Sequence, residues 1–169
     1  SEDLLATLDG TASVSANAID QWRSAEDLYV RNWDMRYANV QLYAPLVKQA
    51  VAELLGKLTL QAADFSKIVL YGHEEKNRLA LAAKLGFQPE QVQSSLFGQI
   101  GNTGNAAAGL MLCAALDTAK EGDRILFVTY GEGCDAMAFT VKSRRARSSS
   151  TEGPKRTHWG CRLSRYAPS

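Results

Sequence analysis

Two short apolar runs constrain this chain more than anything else in it. KIVLYGH at residues 67–73 and ILFVTY at 125–130 are rich in β-branched and aromatic side chains and too short to be helices. Each reads as a buried strand. The segments around them have helical spacing instead. Leu42, Leu46, Val47, Ala50, Val51, Leu54 and Leu55 mark one helix, with Pro45 in its first turn and Gly56 stopping the run. EEKNRLALAAKLG, residues 74–86, marks a second, ended by Gly86. AAAGLMLCAALDTAK marks a third, entered through the glycine-punctuated turn GQIGNTGN at 98–105 and ended by EGD. Helices alternating with short buried strands predict an α/β architecture with a mostly parallel sheet. After ILFVTY the turn GEG leads into AMAFTVK, which alternates like an antiparallel neighbour. VQSSLF, LLATL and SVSA are further strand candidates. AIDQWR and the aromatic set Tyr29, Trp33 and Tyr37 suggest a packed excursion.

Charge divides the chain in two. Residues 142–169 carry eight basic side chains against one acid, Glu152, a net of +7. Of the 19 basic and 18 acidic groups in the whole chain, that leaves 11 and 17 for residues 1–141, a net of −6. The overall +1 over 169 residues therefore describes neither piece. The tail also lacks apolar periodicity, so residues 142–169 read as a basic, disordered extension of a 1–141 domain. Its eight cations in 28 residues could grip nucleic-acid phosphates, although only Trp159 and Tyr166 are interleaved with them. Basic tails are more often simply solvated, so nucleic acid is not the expected partner.

No window holds 18 consecutive apolar residues, so no membrane-spanning helix is expected. SEDLLATLDG has neither a basic start nor an apolar signal core, and it opens on Ser, so the chain reads as beginning partway through a longer product. Cys113, Cys134 and Cys161 are odd in number and lack a C-x-x-C pair, which fits neither a disulfide framework nor, with two histidines, a zinc site. Unpaired thiols point to a reducing, cytoplasmic setting. Cys113 is expected in the core of its Ala-rich helix, and Cys134 in a more accessible turn.

Several signals bear on chemistry. Gly131, Gly133 and Ala136 fit G-x-G-x-x-A after a strand, but a strand-like segment follows where dinucleotide binding needs a helix. Gly101-Asn102-Thr103-Gly104 precedes a helix. Taken alone it is a tight turn in which Asn or Thr caps free amides. Alternatively, Asn102 aims its amide at a developing negative charge. His73 follows the strand KIVLYG at its carboxyl end, where open α/β sheets place ligands. A loop histidine is often only solvated, but two polar donors at one sheet edge could form an oxyanion hole.

Those residues also carry a resemblance. The ordered set comprises Asp20-Gln21-Trp22-Arg23, a long helix, a strand ending in Gly72-His73 and a helix ending in Leu85-Gly86. Gly101-Asn102-Thr103-Gly104 then opens an Ala-rich helix, and GDRILFVTYGEGCDAMAFTV follows. Residues from about 1 to 141 resemble the C-terminal half of thiolase-superfamily condensing enzymes, in particular ketoacyl-acyl-carrier-protein synthase III and 3-hydroxy-3-methylglutaryl-CoA synthase-like proteins. The spacing of 29 residues from His73 to Asn102 suits that family.

The resemblance implies a thiolase-like half-domain with a mixed, mostly parallel five-stranded sheet flanked by helices. It implies a carbon–carbon bond-forming acyltransferase in which a cysteine attacks an acyl thioester. His73 and Asn102 would stabilise the enolate of the second substrate. A neutral imidazole and an amide can both donate hydrogen bonds, and losing one such donor typically costs about 10²–10³ in rate. Substrate contacts are expected at Gly104, Gly131, Gly133 and Lys76. No metal or bound cofactor is implied, and coenzyme A or carrier-protein pantetheine would carry the substrate. The family nucleophile lies in an N-terminal half, and none of the three cysteines matches it. The N-terminal half of the same fold is therefore an expected partner, as is a second copy of the chain. Glu74-Glu75-Lys76 stands where synthase III has Gln-Ala-Asn, and Gly104 replaces a common Ser. The substrate, the carrier and the route (fatty-acid, polyketide, hydrocarbon or isoprenoid) stay open. So does a non-catalytic subunit of the same fold.

Overall fold

The computed structural model of the chain describes residues 4–17, 19, 21–72, 74–101 and 103–142. The chain begins with strand β1, Ala6–Ser15, and a two-stranded ribbon of β2, Gln21–Trp22, and β3, Arg31–Asn32. A short helix α1, Met35–Ala38, runs through a π-helical turn, Asn39–Tyr43, into the long helix α2, Ala44–Leu58. Strand β4, Lys67–Leu70, is followed by helix α3, Glu75–Lys84. A one-turn helix α4, Phe97–Ile100, precedes helix α5, Ala106–Thr118. Strands β5, Arg124–Tyr130, and β6, Gly133–Val141, close the domain.

The main sheet has the order β1-β6-β5-β4. Only β4 and β5 run parallel, and β5–β6 and β6–β1 are antiparallel. The α/β architecture agrees with the sequence reading, but among the described residues the sheet has four strands rather than five and is mostly antiparallel. Two local causes account for the difference. LLATL and SVSA both feed one ten-residue strand, Ala6–Ser15, which adds antiparallel pairing beyond β6. VQSSLF contributes a single parallel bridge, Val92 to Ile68. That ladder stops because the Gln93 carbonyl accepts from Arg78 Nη1 at 2.8 Å instead of from a strand.

The central strands are covered on both faces, as their unbroken apolar sequences require. Ile68, Leu70, Leu126 and Val128 share one cluster with Val47, Ala50, Val51 and Leu54 of α2. Val69, Ile125 and Val141 point the other way, onto Met111 and Ala115 of α5. The α2 positions follow the i, i+3, i+4, i+7 rule of one helix face. Its predicted stop at Gly56 does not occur. The helix runs on to Leu58 and ends at Thr59, which adopts a left-handed conformation with φ 55°. Leu58 packs on the sheet at Gly10, where a Cβ would stand 3.0 Å from Leu58 Cδ2. An internal glycine costs only about 0.5–1 kcal/mol against alanine, so that tertiary contact carries the helix through.

The two described cysteines exchange their expected places. Cys113 is exposed, because Ala108, Met111 and Ala115 form the inward face of α5. Cys134 is buried at 2% exposure, paired within the sheet opposite Val14 and Tyr130. The aromatic excursion also differs from expectation. Trp33 stacks on Trp22 and Tyr37 at centroid distances of 5.6 and 5.9 Å, so these rings pack on one another rather than into the core. At the tip of the ribbon Leu28 and Tyr29 are 86% and 82% exposed. The basic tail, apart from Lys142, lies outside the described residues.

Candidate active site

The site is built at the carboxyl ends of β4 and β5. Because these strands are parallel and adjacent, with Leu70 opposite Val128, their exits emerge side by side. Tyr71 extends the pairing by donating to Val128 O at 3.1 Å. The chain then leaves β4 through Gly72 and leaves β5 through Tyr130 and Gly131.

Gly72 is required by a close approach. A Cβ there would lie 2.6 Å from Tyr43 Oη and 3.6 Å from Arg78 Cβ. Tyr43 donates its hydroxyl to Tyr71 O at 2.9 Å and sets its ring edge-on to Tyr130, with centroids 5.2 Å apart at 86°. Burial pushes the Tyr43 phenol well above its ordinary range, so it stays protonated and donating. The other side of the turn is held by α3. Arg78 N bonds Glu74 O at 3.0 Å, and Asn77 Nδ2 bonds Glu74 Oε2 at 2.6 Å. Burial pushes the Cys134 thiol up to about 12, the neighbouring Asp135 charge adding to the effect, so this thiol is not an activated nucleophile.

Two hollows flank this turn. Met35, Ala38, Asn39, Tyr43, Glu74, Asn77 and Tyr130 enclose an apolar notch of about 20 Å³, room for about one water. Beside it Asp34, Arg36, Asn39, Glu74, Lys76 and Asn77 line an open polar recess of about 560 Å³, within the size range of small-molecule sites. Glu74, Asn39 and Asn77 border both.

The residues singled out from the sequence fall in several places. Lys76 lies on the polar recess. Gly131 and Gly133 line a separate hollow at the β1–β6 rim, with Ser13–Ser15 and Thr129. Gly133 is there for packing on β1, since a Cβ would stand 2.5 Å from Val14 O. Gly104 is on the exposed turn before α5, in the left-handed region at φ 57°. His73 and Asn102 lie outside the described residues. Their neighbours on the chain are Gly72 and Glu74, and Gly101 and Thr103. The capping expected before α5 is not made by the described candidates. Asn105 makes no side-chain cap bond, and Thr103 Oγ1 is enclosed without a partner. Ala107 N instead bonds Gly104 O at 3.0 Å. Among the described residues no three His, Cys, Asp or Glu side chains converge to hold a metal.

Sequence reasoning missed Tyr43, Tyr130 and Arg78. Tyr43 sits one residue past Leu42 in the apolar helical run, and nothing there marked its hydroxyl as a clamp. Arg78 follows Glu75 by three residues on a helix, a pattern that ordinarily marks a solvated pair.

Comparison with known proteins gives the family and the fold. The family described as 3-oxoacyl-[acyl-carrier-protein (ACP)] synthase III C terminal matches residues 55–143. Hydroxymethylglutaryl-CoA synthase of Methanopyrus kandleri is 35% identical over 144 residues, covering 83% of this chain and 41% of that enzyme. The synthase of the same name from Pyrococcus furiosus is 33% identical over 142 residues, covering 83% and 40%. The chain thus spans about two fifths of the length of these relatives. The structure of 3-oxoacyl-[acyl-carrier-protein] synthase III from Aquifex aeolicus superposes with a TM-score of 0.68 at 19% identity, over 82% of this chain and 46% of that one. Xanthomonas campestris OleA superposes with a TM-score of 0.65 at 21% identity, over 80% and 39%. These two show a shared, thiolase-like fold.

Proposed function

This chain belongs to the 3-oxoacyl-[acyl-carrier-protein] synthase III C-terminal family of thiolase-superfamily condensing enzymes, and from that footing we propose that it is the oxyanion-donor half of a carbon–carbon bond-forming acyltransferase. A cysteine of an N-terminal half attacks an acyl thioester, expels the thiol of coenzyme A or carrier pantetheine, and holds the acyl group. A second thioester gives up an α-proton to a base or, as carbon dioxide, an α-carboxylate, and the carbon of the resulting enolate attacks the held carbonyl. A carbon–carbon bond forms, the bond from acyl group to cysteine breaks, and the cysteine leaves as thiolate. His73 and Asn102 donate to the enolate oxygen, which carries the developing charge. Lys76 and Arg36 line the polar recess together with Asp34 and Glu74, and these two cations are its groups for the anionic end of either carrier.

The observation that carries this reading is the paired exit of β4 and β5. Gly72 and Glu74, the chain neighbours of His73, are held there by Tyr43 and α3 beside an open polar recess. The partner half is supported by α5. Its sequence, AAAGLMLCAALDT, has a single charged residue, Asp117, yet Leu110 and Cys113 face outward. A helix apolar on all sides is one that is covered on all sides. We place the N-terminal half on that face, within a cytoplasmic homo-oligomer.

The test joins this chain to a cysteine-bearing N-terminal half, with acetyl-CoA as acyl donor. Acylation of the cysteine should proceed. His73→Ala and Asn102→Ala should each lower condensation by about 10²–10³ while sparing acylation. Full condensation in both variants would sink the proposal. A second reading, a non-catalytic subunit of the same fold, draws on Glu74-Glu75-Lys76 in place of Gln-Ala-Asn. It predicts that the assembled protein acylates nothing and condenses nothing.

A further inference from the structure

Arg78 is the one charged side chain buried among the described residues, at 1% exposure. Withdrawing a guanidinium from water is costly unless its donors are satisfied. Here Nε and Nη2 fork onto the Glu75 carboxylate at 3.1 and 2.5 Å, and Nη1 donates to Gln93 O at 2.8 Å. Gln93 N in turn donates to Ile68 O at 2.9 Å, so this stretch of chain is pinned to β4 on one side and to α3 on the other. The stem of Arg78 packs beneath Gly72, its Cβ 3.6 Å from where a Cβ at Gly72 would stand. From Gln93 the chain runs through α4 to Gly101. One side chain therefore supports the turn leaving β4 and tethers the segment leading to the second glycine-bounded turn.

We propose that Arg78 is a positioning residue that sets the separation between Gly72, at the exit of β4, and the 92–101 segment. The inference rests on the reading of His73 and Asn102 as paired donors, because those two segments deliver them. Two donors serving one oxyanion need a fixed spacing, and a misplacement of about 1 Å can cost on the order of 10²-fold in rate. A lysine at 78 would keep the charge but could not hold a forked carboxylate and a carbonyl together. Glu75 is half-exposed, so the pair does not simply plug a hole in the core. Its carboxyl is held below the ordinary range, chiefly by the bond to Arg78 and with help from the Ser95 side chain, which draws the 92–95 segment in as well.

The experiment uses this chain assembled with its cysteine-bearing half, again with acetyl-CoA as probe. His73→Ala and Asn102→Ala come first, because full condensation in both sinks the donor reading itself, whatever Arg78 does. With that reading standing, Arg78→Lys should lower kcat by roughly 10- to 100-fold with KM within about twofold. Acylation of the cysteine should be unchanged. With only this chain ¹⁵N-labelled before assembly, and in a His158→Asn background, the one labelled imidazole, His73, should show a shifted ¹H–¹⁵N signal. Glu75→Gln should act in the same direction and less strongly. A folded Arg78→Lys with parental kcat overturns the proposal. So does a fall in kcat/KM carried wholly by KM, which would make Arg78 a substrate-binding group. If Arg78→Lys does not fold, Glu75→Gln decides alone: lower kcat at constant KM supports the proposal, and parental kcat overturns it.

Discussion

The two faces of the sheet are covered by helices of opposite character. On one face α2 turns Val47, Ala50, Val51 and Leu54 inward and Lys48, Glu53 and Lys57 outward. On the other, α5 turns Ala108, Met111 and Ala115 inward but leaves Leu110 and Cys113 outward, with hardly a charge on it. The first helix is finished by water. The second has the composition of a helix with protein on both sides. The amphipathicity of a helix thus reports how many neighbours it has, and here it separates a helix finished by water from one whose outer face stays apolar.

The largest effect should come from the finished face. Leu54→Ala removes a fully buried side chain and should cost about 2–5 kcal/mol, read from the urea midpoint. A loss below about 1 kcal/mol would mean that the α2 core is not the main support. Leu110→Ser on α5 should change the stability of this chain by no more than about 0.5 kcal/mol. It should nonetheless weaken capture of the N-terminal half on a gel-filtration column, whereas Glu53→Ser should alter neither property. Unaltered assembly in Leu110→Ser would break the contrast between the faces. Thiol labelling followed by peptide mass spectrometry sharpens it further. Cys113 should react in the native chain, and Cys134 only as the chain unfolds. Early labelling of Cys134 would contradict its burial.

The smallest effect concerns pH. Arg78 holds the folded-state pKa of Glu75 below its ordinary value. The stability this contributes is therefore fully present above about pH 4.3 and is lost as pH falls through the lowered folded value. The pH-dependent part of the parent's advantage over Glu75→Gln should be under about 1 kcal/mol and should shrink below about pH 4. An advantage that grew on acidification would have the wrong sign.

Much of the fold was legible because it obeys simple periods. KIVL and ILFV were short, β-branched and apolar throughout, and α2 placed its buried residues on one helix face. The illegible parts are those where period says nothing. A helix apolar all round has no phase to read, so the sequence pattern does not show that Cys113 points out. The register shift between Leu8 and Gly10 hid the unity of β1, because LLATL and SVSA looked like two pieces. VQSSLF failed as a strand because a side chain fifteen residues earlier captures its carbonyl, a contact no local window contains. The same limit governs the site. His73 could be placed at a strand's carboxyl end from sequence, but the Tyr43 hydroxyl reaches Tyr71 across 28 residues of chain.

The contact between Tyr43 and Gly72 has a consequence for how this sequence can drift. With the Tyr43 hydroxyl oxygen 2.6 Å from the missing Cβ, a side chain at 72 cannot appear while Tyr43 keeps its place. The reverse order is open, because a smaller residue at 43 vacates the space first. Descent through these two positions is thus directional. In a library randomised at both, every survivor with a side chain at 72 should carry a reduced residue at 43, while glycine at 72 should tolerate many partners.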